Sequence, residues 1–334
     1  MLVAGAVAVL GASGGALAYF KPWRREQLTP PPKPVPLAFS EEQQATAAKY
    51  SLPVERTDDF GISFVLIPPG QAWVGTVPEE IERIIEGEPD TAYHPFIRAE
   101  VRRVIEIPHP VYLARTELTI GQMKAIVGPR RRFISEVEAG RQKGYAFRNG
   151  RWAVESGRSW QDAGPEFPMT DDHPAINLTW FDATNLTRML NLPKGGPRYF
   201  LPDEDFWEYA CVAGVPQHAP GGEVVPIEDV SVFDVPRPLP VRSRLPNHWG
   251  LFDMLGNLLE WCLFAPRGVK ADNSTLAPLR GGKFNDKAYR IRPAARVWEP
   301  KTSPLGGLRL AMIAVSTPAG RDRVFGKEPP TNEK

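Results

Sequence analysis

The apolar positions of this chain fall into one long uncharged run and many short bursts. Met1 to Phe20 (MLVAGAVAVLGASGGALAYF) holds no charged residue, and a helix of that length crosses the ~30 Å hydrocarbon core of a bilayer. No polar face interrupts the run, so a buried helix of a globular core accounts for it poorly. It reads as a membrane anchor. The alternative is a signal peptide cut after Ala16-Leu-Ala18, which would need a positive leading region that the run lacks. Beyond it, Phe64-Val-Leu-Ile67 predicts a strand, Pro68-Pro-Gly70 a turn, and Trp73-Val-Gly75 the start of the next strand. Val111 to Glu117 predicts another strand. Helices are announced by their start signals. Ser40-Glu-Glu-Gln43 is a capping box opening a short helix to about Tyr50, and Thr119-Ile-Gly-Gln122 opens one to about Val127. Thr179-Trp-Phe-Asp182 caps a helix running to about Asn191. Leu201 to Ala210 predicts a helix begun by Pro202 and by early carboxylates that suit its N-terminal dipole. Residues 128–170 show no clear period and predict an insertion with little regular structure.

Composition sharpens this picture. The 36 prolines and 29 glycines imply many turns and short elements rather than long helices or a regular sandwich. Lys and Arg total 40 against 39 Asp and Glu, a balance that excludes the basic stripe of a nucleic-acid binder. Cys211 and Cys262 are the only cysteines, too few for a disulfide framework; they form one bridge or, the preferred reading, are two buried thiols. Thr29 to Pro36 (TPPPKPVP) reads as an extended, semi-rigid spacer that holds a folded domain away from a bilayer. The expected organisation is an anchor or signal segment over 1–20, a proline-rich linker over 21–39, a short helix and lead-in over 40–58, a globular domain over 59–316 and a flexible tail over 317–334.

Six blocks along residues 60–315 carry a family resemblance. They include Phe64-Val-Leu-Ile-Pro-Pro-Gly70, the step from Val111-Tyr-Leu-Ala-Arg-Thr-Glu117 into Thr119-Ile-Gly-Gln122, His173-Pro-Ala-Ile-Asn-Leu-Thr-Trp180, Leu201-Pro-Asp-Glu-Asp-Phe-Trp-Glu-Tyr-Ala210 and Gly250-Leu-Phe-Asp-Met-Leu-Gly-Asn-Leu-Leu-Glu-Trp261. Leu279-Arg-Gly-Gly282 with Arg290, Arg292 and Arg296, and then Gly306-Gly-Leu-Arg-Leu-Ala311, complete the set. In this order they resemble the formylglycine-generating-enzyme, or sulfatase-modifying factor, superfamily. The resemblance implies a C-type-lectin-like α+β fold of short strands and much irregular chain, here preceded by one N-terminal transmembrane helix.

The same resemblance frames the candidate chemistry. Asp253 and Glu260 bracket Gly256 and Leu258, and hard oxygen ligands of this kind suit Ca²⁺. The family holds a calcium at matching positions, through the side chains of Asp253 and Glu260 and the carbonyls of Gly256 and Leu258. The alternative is that the two carboxylates cap turns and pair with arginines. The family's oxidases bind copper through two cysteines between the positions of Arg280 and Arg296, since Cu(I) demands soft sulfur. This segment has none, and Lys283 stands where the family has serine, so no copper is expected. The five histidines are isolated, with no i, i+4 pair for an iron site. Arg280, Arg296 and Arg309 read as buried arginines paired with carboxylates. Lys283, Asn285, Lys287, Tyr289 and Trp298 read as a ligand-binding face, because this segment forms the ligand-facing surface in lectin-like relatives. The expected function is that of a membrane-tethered, catalytically diverged domain that binds a protein or glycan partner or acts as a structural subunit of a membrane complex. The alternative is an oxidase of altered cofactor usage. Positive charges after the span favour a cytoplasmic domain, while family habit and the high calcium outside the cytoplasm favour an extracytoplasmic one, the side adopted here.

Overall fold

A computed structural model describes residues 39–128, 133–193, 196–213, 225–264 and 275–314. The expected anchor, the proline-rich spacer and the tail lie outside the described residues, apart from Phe39. Among the described residues no helix is long and apolar enough to cross a membrane.

The central element is a five-stranded antiparallel sheet built from β1 (Glu55–Thr57), β2 (Ser63–Ile67), β5 (Val111–Ala114), β8 (Tyr199–Phe200) and β12 (Ala311–Ile313), in the order β1-β2-β5-β12-β8. Side chains alternate across a strand, and here both faces are buried. Phe64 and Leu66 of β2 and Tyr112 of β5 face one core cluster, which takes in Met123 and Ile126 from α4 (Ile120–Val127) and Leu186 from α5 (Trp180–Leu190). Val65, Ile67, Val111 and Leu113 face a second cluster with Phe206, Trp207 and Ala210 of α6 (Glu204–Val212). The continuous apolar run Phe64–Ile67 is thus the signature of a strand covered on both sides.

The expected helix starts hold. Ser40, Thr119 and Thr179 each cap their helix through a reciprocal box with Gln43, Gln122 and Asp182. Helix α6 is capped instead by Asp203, whose side chain accepts from the amides of Asp205 and Phe206, so Pro202 precedes the cap rather than opening the helix.

Four expectations are corrected. First, α1 (Glu41–Tyr50) is no detached lead-in. Gln43 is fully buried and donates through Nε2 to the carbonyls of Leu66 at 3.0 Å and Trp249 at 3.2 Å, and β1 pairs with β2. The domain therefore starts near residue 40. Second, β3 spans Gly70–Val74 and pairs with β4 (Arg103–Ile107), so Trp73 lies late in that strand. Third, β5 stops at Ala114, short of Glu117. Fourth, the stretch 128–170 contains the hairpin β6 (Gly144–Arg148) and β7 (Arg151–Glu155). Its Asn149-Gly150 turn has φ of 50° and 74°, the conformation that makes Asn-Gly a strong hairpin signal.

Candidate functional site

Strands β9 (Glu260–Trp261), β10 (Leu276–Arg280) and β11 (Arg296–Pro300) form a second sheet, in which Arg280 lies opposite both Glu260 and Arg296. Arg280, at 0% exposure, binds the Glu208 carboxylate on α6 and the carbonyls of Ala294 at 3.0 Å and Pro293 at 2.9 Å. Arg309 is equally buried and meets Glu260 at 2.7 Å, with the carbonyls of Ala114 and Phe252 at 2.9 and 2.8 Å. Arg296 faces Glu204 at 3.4 Å. All three are the structural arginines expected from the sequence.

After β10 the chain turns at Gly281-Gly282, both at positive φ. Their φ values of 93° and 78° lie where a side chain is strained, and a Cβ on Gly281 would stand 3.0 Å from the Met254 carbonyl oxygen, so this return favours glycine. Residues 283–295 then lie across the end of the sheet. Over them sits a cap formed by α2 (Pro78–Gly87) and α3 (His94–Arg98). Arg290 donates to Glu88 through Nε at 2.6 Å and Nη2 at 2.8 Å. Arg292 donates to Glu100 through Nη1 at 2.6 Å and Nη2 at 2.9 Å. Such two-point bonds are the strong, oriented form of an ion pair. The Tyr93 ring centroid lies 3.6 Å from the Arg290 guanidinium carbon, and the Phe96 and Trp298 rings meet edge to face at 5.6 Å. Burial alone would raise the Glu88 carboxyl, but the bonds from Arg290 and the Asp90 amide outweigh it and hold the group below its usual range. Burial raises the Tyr93 hydroxyl. Between cap and segment remains a cleft of about 40 Å³, lined among others by Lys283, Asp286, Tyr289 and Glu299.

The expected binding face is only partly open. Lys283 and Tyr289 line the cleft. Asn285 is exposed, whereas Lys287 is tied to Asp234 at 2.6 Å. Trp298 is half-buried against Phe96, with its Nε1 lacking a hydrogen-bond partner. The cap residues Glu88, Tyr93, Phe96 and Glu100 were not foreseen. The apolar spacing Ile81, Ile84, Ile85 marks only α2, which ends at Gly87, before all four of them.

Of the two side chains expected to hold calcium, Glu260 is engaged on both oxygens by other partners and Asp253 on one. Glu260 accepts from Arg309 with both oxygens, at 3.0 and 2.7 Å, and from Trp207 Nε1 at 2.7 Å. The amide of Leu258 is turned to Glu117 at 2.9 Å. Gly256 is fixed by close packing, since a Cβ would lie 2.1 Å from the Val232 carbonyl oxygen. Asp253 keeps one partnerless buried oxygen, Oδ1, and its Oδ2 accepts from the Arg242 amide at 2.8 Å. Among the described residues no group of three or more His, Cys, Asp or Glu is placed to hold a metal. The guanidinium of Arg309 supplies the positive charge that a cation would bring. Burial, with Asp253 and Glu260 nearby, pushes Glu117 well above the ordinary carboxyl range, and burial also raises Asp253.

Cys211 and Cys262 are free and buried, at 7% and 0% exposure, and burial raises both thiols. Thiolates, the nucleophilic and metal-binding form, are thereby disfavoured. Neither cysteine lines the cleft.

Comparison with known proteins agrees with this architecture. The formylglycine-generating enzyme of Streptomyces coelicolor is 29% identical over 197 residues, a match covering 47% of this chain and 58% of that enzyme. A serine/threonine-protein kinase, pkn1 of Chlamydia caviae, is 36% identical over 91 residues, covering 27% of this chain and 13% of the kinase. The chain thus spans less than two thirds of these relatives. Among solved structures, PvdO from Pseudomonas aeruginosa superposes with a TM-score of 0.58 at 20% identity, over 77% of this chain and 97% of PvdO. Treponema denticola variable protein 1 does so with a TM-score of 0.51 at 16% identity, over 78% of this chain and 99% of that one. Both likenesses concern the fold. The domain described as "Sulfatase-modifying factor enzyme 1-like" matches residues 50–313, and the chain belongs to that family.

Proposed function

We propose that this chain is a catalytically diverged member of its family, tethered to a membrane by residues 1–20, whose domain binds a partner or serves as a structural subunit. The observation that carries this reading is the content of the segment from Lys283 to Ala295. It holds no thiol, and its arginines are engaged by carboxylates of the cap. The two thiols of the chain lie in the core with their pKa raised by burial, a poor state for either copper ligation or attack. The uncharged run Met1–Phe20 followed by Lys21, Arg24 and Arg25 supports the tether. An extracytoplasmic position for the domain is part of the proposal; protease added to intact cells should then cleave it, and protection until lysis would place it inside.

The activity reading is tested on the full-length protein with a cysteine-containing sulfatase-type peptide and Cu(I). The expected result is no conversion of cysteine to formylglycine by mass spectrometry and no Cu(I) retention against a chelating dye. Turnover, or tight retention, would make the chain an oxidase and overturn the proposal.

A further inference from the structure

The cap is attached to the rest of the molecule in an unusual way. Its apolar residues Ile81, Ile84 and Ile97 form a small cluster of their own, separate from the two clusters that flank the central sheet. Towards the segment 283–298 it offers polar and aromatic groups, the Glu88 carboxylate on Arg290, the Tyr93 ring on the same guanidinium and Phe96 on Trp298, while Ile84 and Ile97 line the cleft beside them. Its two ends meet at a neck. There the Thr76 amide donates to the Glu100 carbonyl at 2.7 Å, the Thr76 hydroxyl donates to the Glu100 carboxylate at 2.8 Å, and Arg292 clamps that carboxylate. Beyond the neck runs the two-stranded β3–β4 ribbon. The cap is thus the tip of a long hairpin, fixed at its base by Glu100 and Arg292 and latched at its far end by Glu88 and Arg290. The space beneath it, about 40 Å³, has room for a few waters, each of which needs roughly 10–15 Å³ of such space. Neither a peptide side chain with its backbone nor a sugar ring fits while the latch is closed.

We propose that Pro78–Arg98 is a displaceable lid seated in the partner site of this domain, and that the partner is a protein segment presenting a carboxylate beside an aromatic side chain. The lid itself supplies that chemistry in cis. Glu88 occupies the planar fork of Arg290, which is matched to a carboxylate, and Tyr93 covers the guanidinium face, a favourable cation–π position. With the lid lifted, Arg290, Lys283 and Tyr289 stand open together with Trp298, and arginine and aromatic residues are the usual anchors of interfaces. This proposal rests on the reading of the domain as a binding module. A ligand that binds only the open state would carry a population penalty while the latch is closed.

The test uses the full-length protein and a labelled peptide copying its own residues 86–98 (EGEPDTAYHPFIR). Glu88→Gln removes the latch charge and leaves the Glu100–Arg292 base intact. The E88Q protein should bind the peptide at least tenfold more tightly than wild type by fluorescence anisotropy. The same peptide carrying Gln for the residue-88 glutamate should not bind, and adding Arg290→Gln to E88Q should abolish binding. Equal binding by wild type and E88Q, or binding that ignores Arg290, would overturn the proposal. So would binding of a neutral oligosaccharide in place of the acidic peptide. In wild-type protein alone, hydrogen exchange of amides 79–98 should be at least tenfold faster than that of α4 and α5. Exchange of the lid only at the rate of those core helices would overturn the proposal whatever the variants do. If cysteine turnover were found while the lid still opened and bound the peptide, the binding-module reading would fail and the lid would stand.

Discussion

Arg309 and Glu260 form a fully buried ion pair whose partners are also bonded to backbone carbonyls and to Trp207. Removing one member of such a pair leaves an uncompensated buried charge, which costs about 3–5 kcal/mol. Glu260→Gln should therefore lower the urea-unfolding free energy by that amount, and it should do so equally in calcium and in chelator. A wild-type protein that melts at a higher temperature in calcium than in chelator would show that the ion is bound after all, since a native-state ligand stabilises by mass action. Asp253 makes a different prediction. Burial raises its carboxyl, so the folded state holds its proton more tightly than the unfolded chain does. The associated stability is fully present below the ordinary aspartate value of about 3.9 and is lost as the pH rises above it. Asp253→Asn should flatten the fall in stability between about pH 4 and 7 in denaturant titrations; an unchanged slope would mean that Asp253 titrates normally. Sequence spacing found Asp253 and Glu260 and left pairing with arginines as an alternative, but not the particular partners, because Arg309 and Trp207 reach Glu260 from 49 and 53 residues away.

At the scale of elements, helix starts were legible because a capping box is a local device: residue and partner sit three positions apart. Thr179 and Asp182 show how tertiary structure adds to it. The Asp182 carboxylate accepts from the Thr179 amide and hydroxyl at 2.9 and 2.8 Å and also from the Glu136 amide at 2.9 Å. Loss of an N-cap costs typically about 1 kcal/mol. Thr179→Ala should cost about that, and Asp182→Ala more, because the Glu136 amide loses its acceptor as well; a cost for Asp182→Ala no larger than for Thr179→Ala, in chemical denaturation, would reject the double role. The hairpin β6–β7 was missed although Asn149-Gly150 announces it. Its second strand is largely exposed, its first is mostly buried, and both carry Arg with Tyr or Trp rather than a clean alternation, so the apolar pattern gave no warning. The lid was missed for a related reason. Its helix has a readable apolar spacing, yet the groups that matter, Glu88 and Tyr93, lie in the turn beyond it.

For the molecule as a whole, the start of the domain is decided by α1. Gln43 joins the sheet to Trp249, and Ala47 packs into the main core. A protein truncated before residue 39 should fold with a cooperative melt, whereas one truncated before residue 59 should not, since it loses Gln43, Ala47 and the edge strand β1. Circular dichroism melts of the two truncations decide the matter, and a cooperative melt of the shorter one would restore the boundary at 59.

The sequence by itself determined the family, the two strands around Phe64 and Val111, the capped helix starts, the pairing of Arg280, Arg296 and Arg309 with carboxylates, and the absence of thiols from the segment after Gly282. Each of these depends on residues close in the chain or on a block long enough to be distinctive. Only the tertiary structure decided that Glu260 serves Arg309, that α1 belongs to the core, and that Glu88 closes the ligand face upon Arg290. Those partners stand 49, 206 and 202 residues apart. Pairing over such distances leaves no periodic or local trace. It is fixed by the burial of polar groups, each of which must find the partner that the fold brings to it.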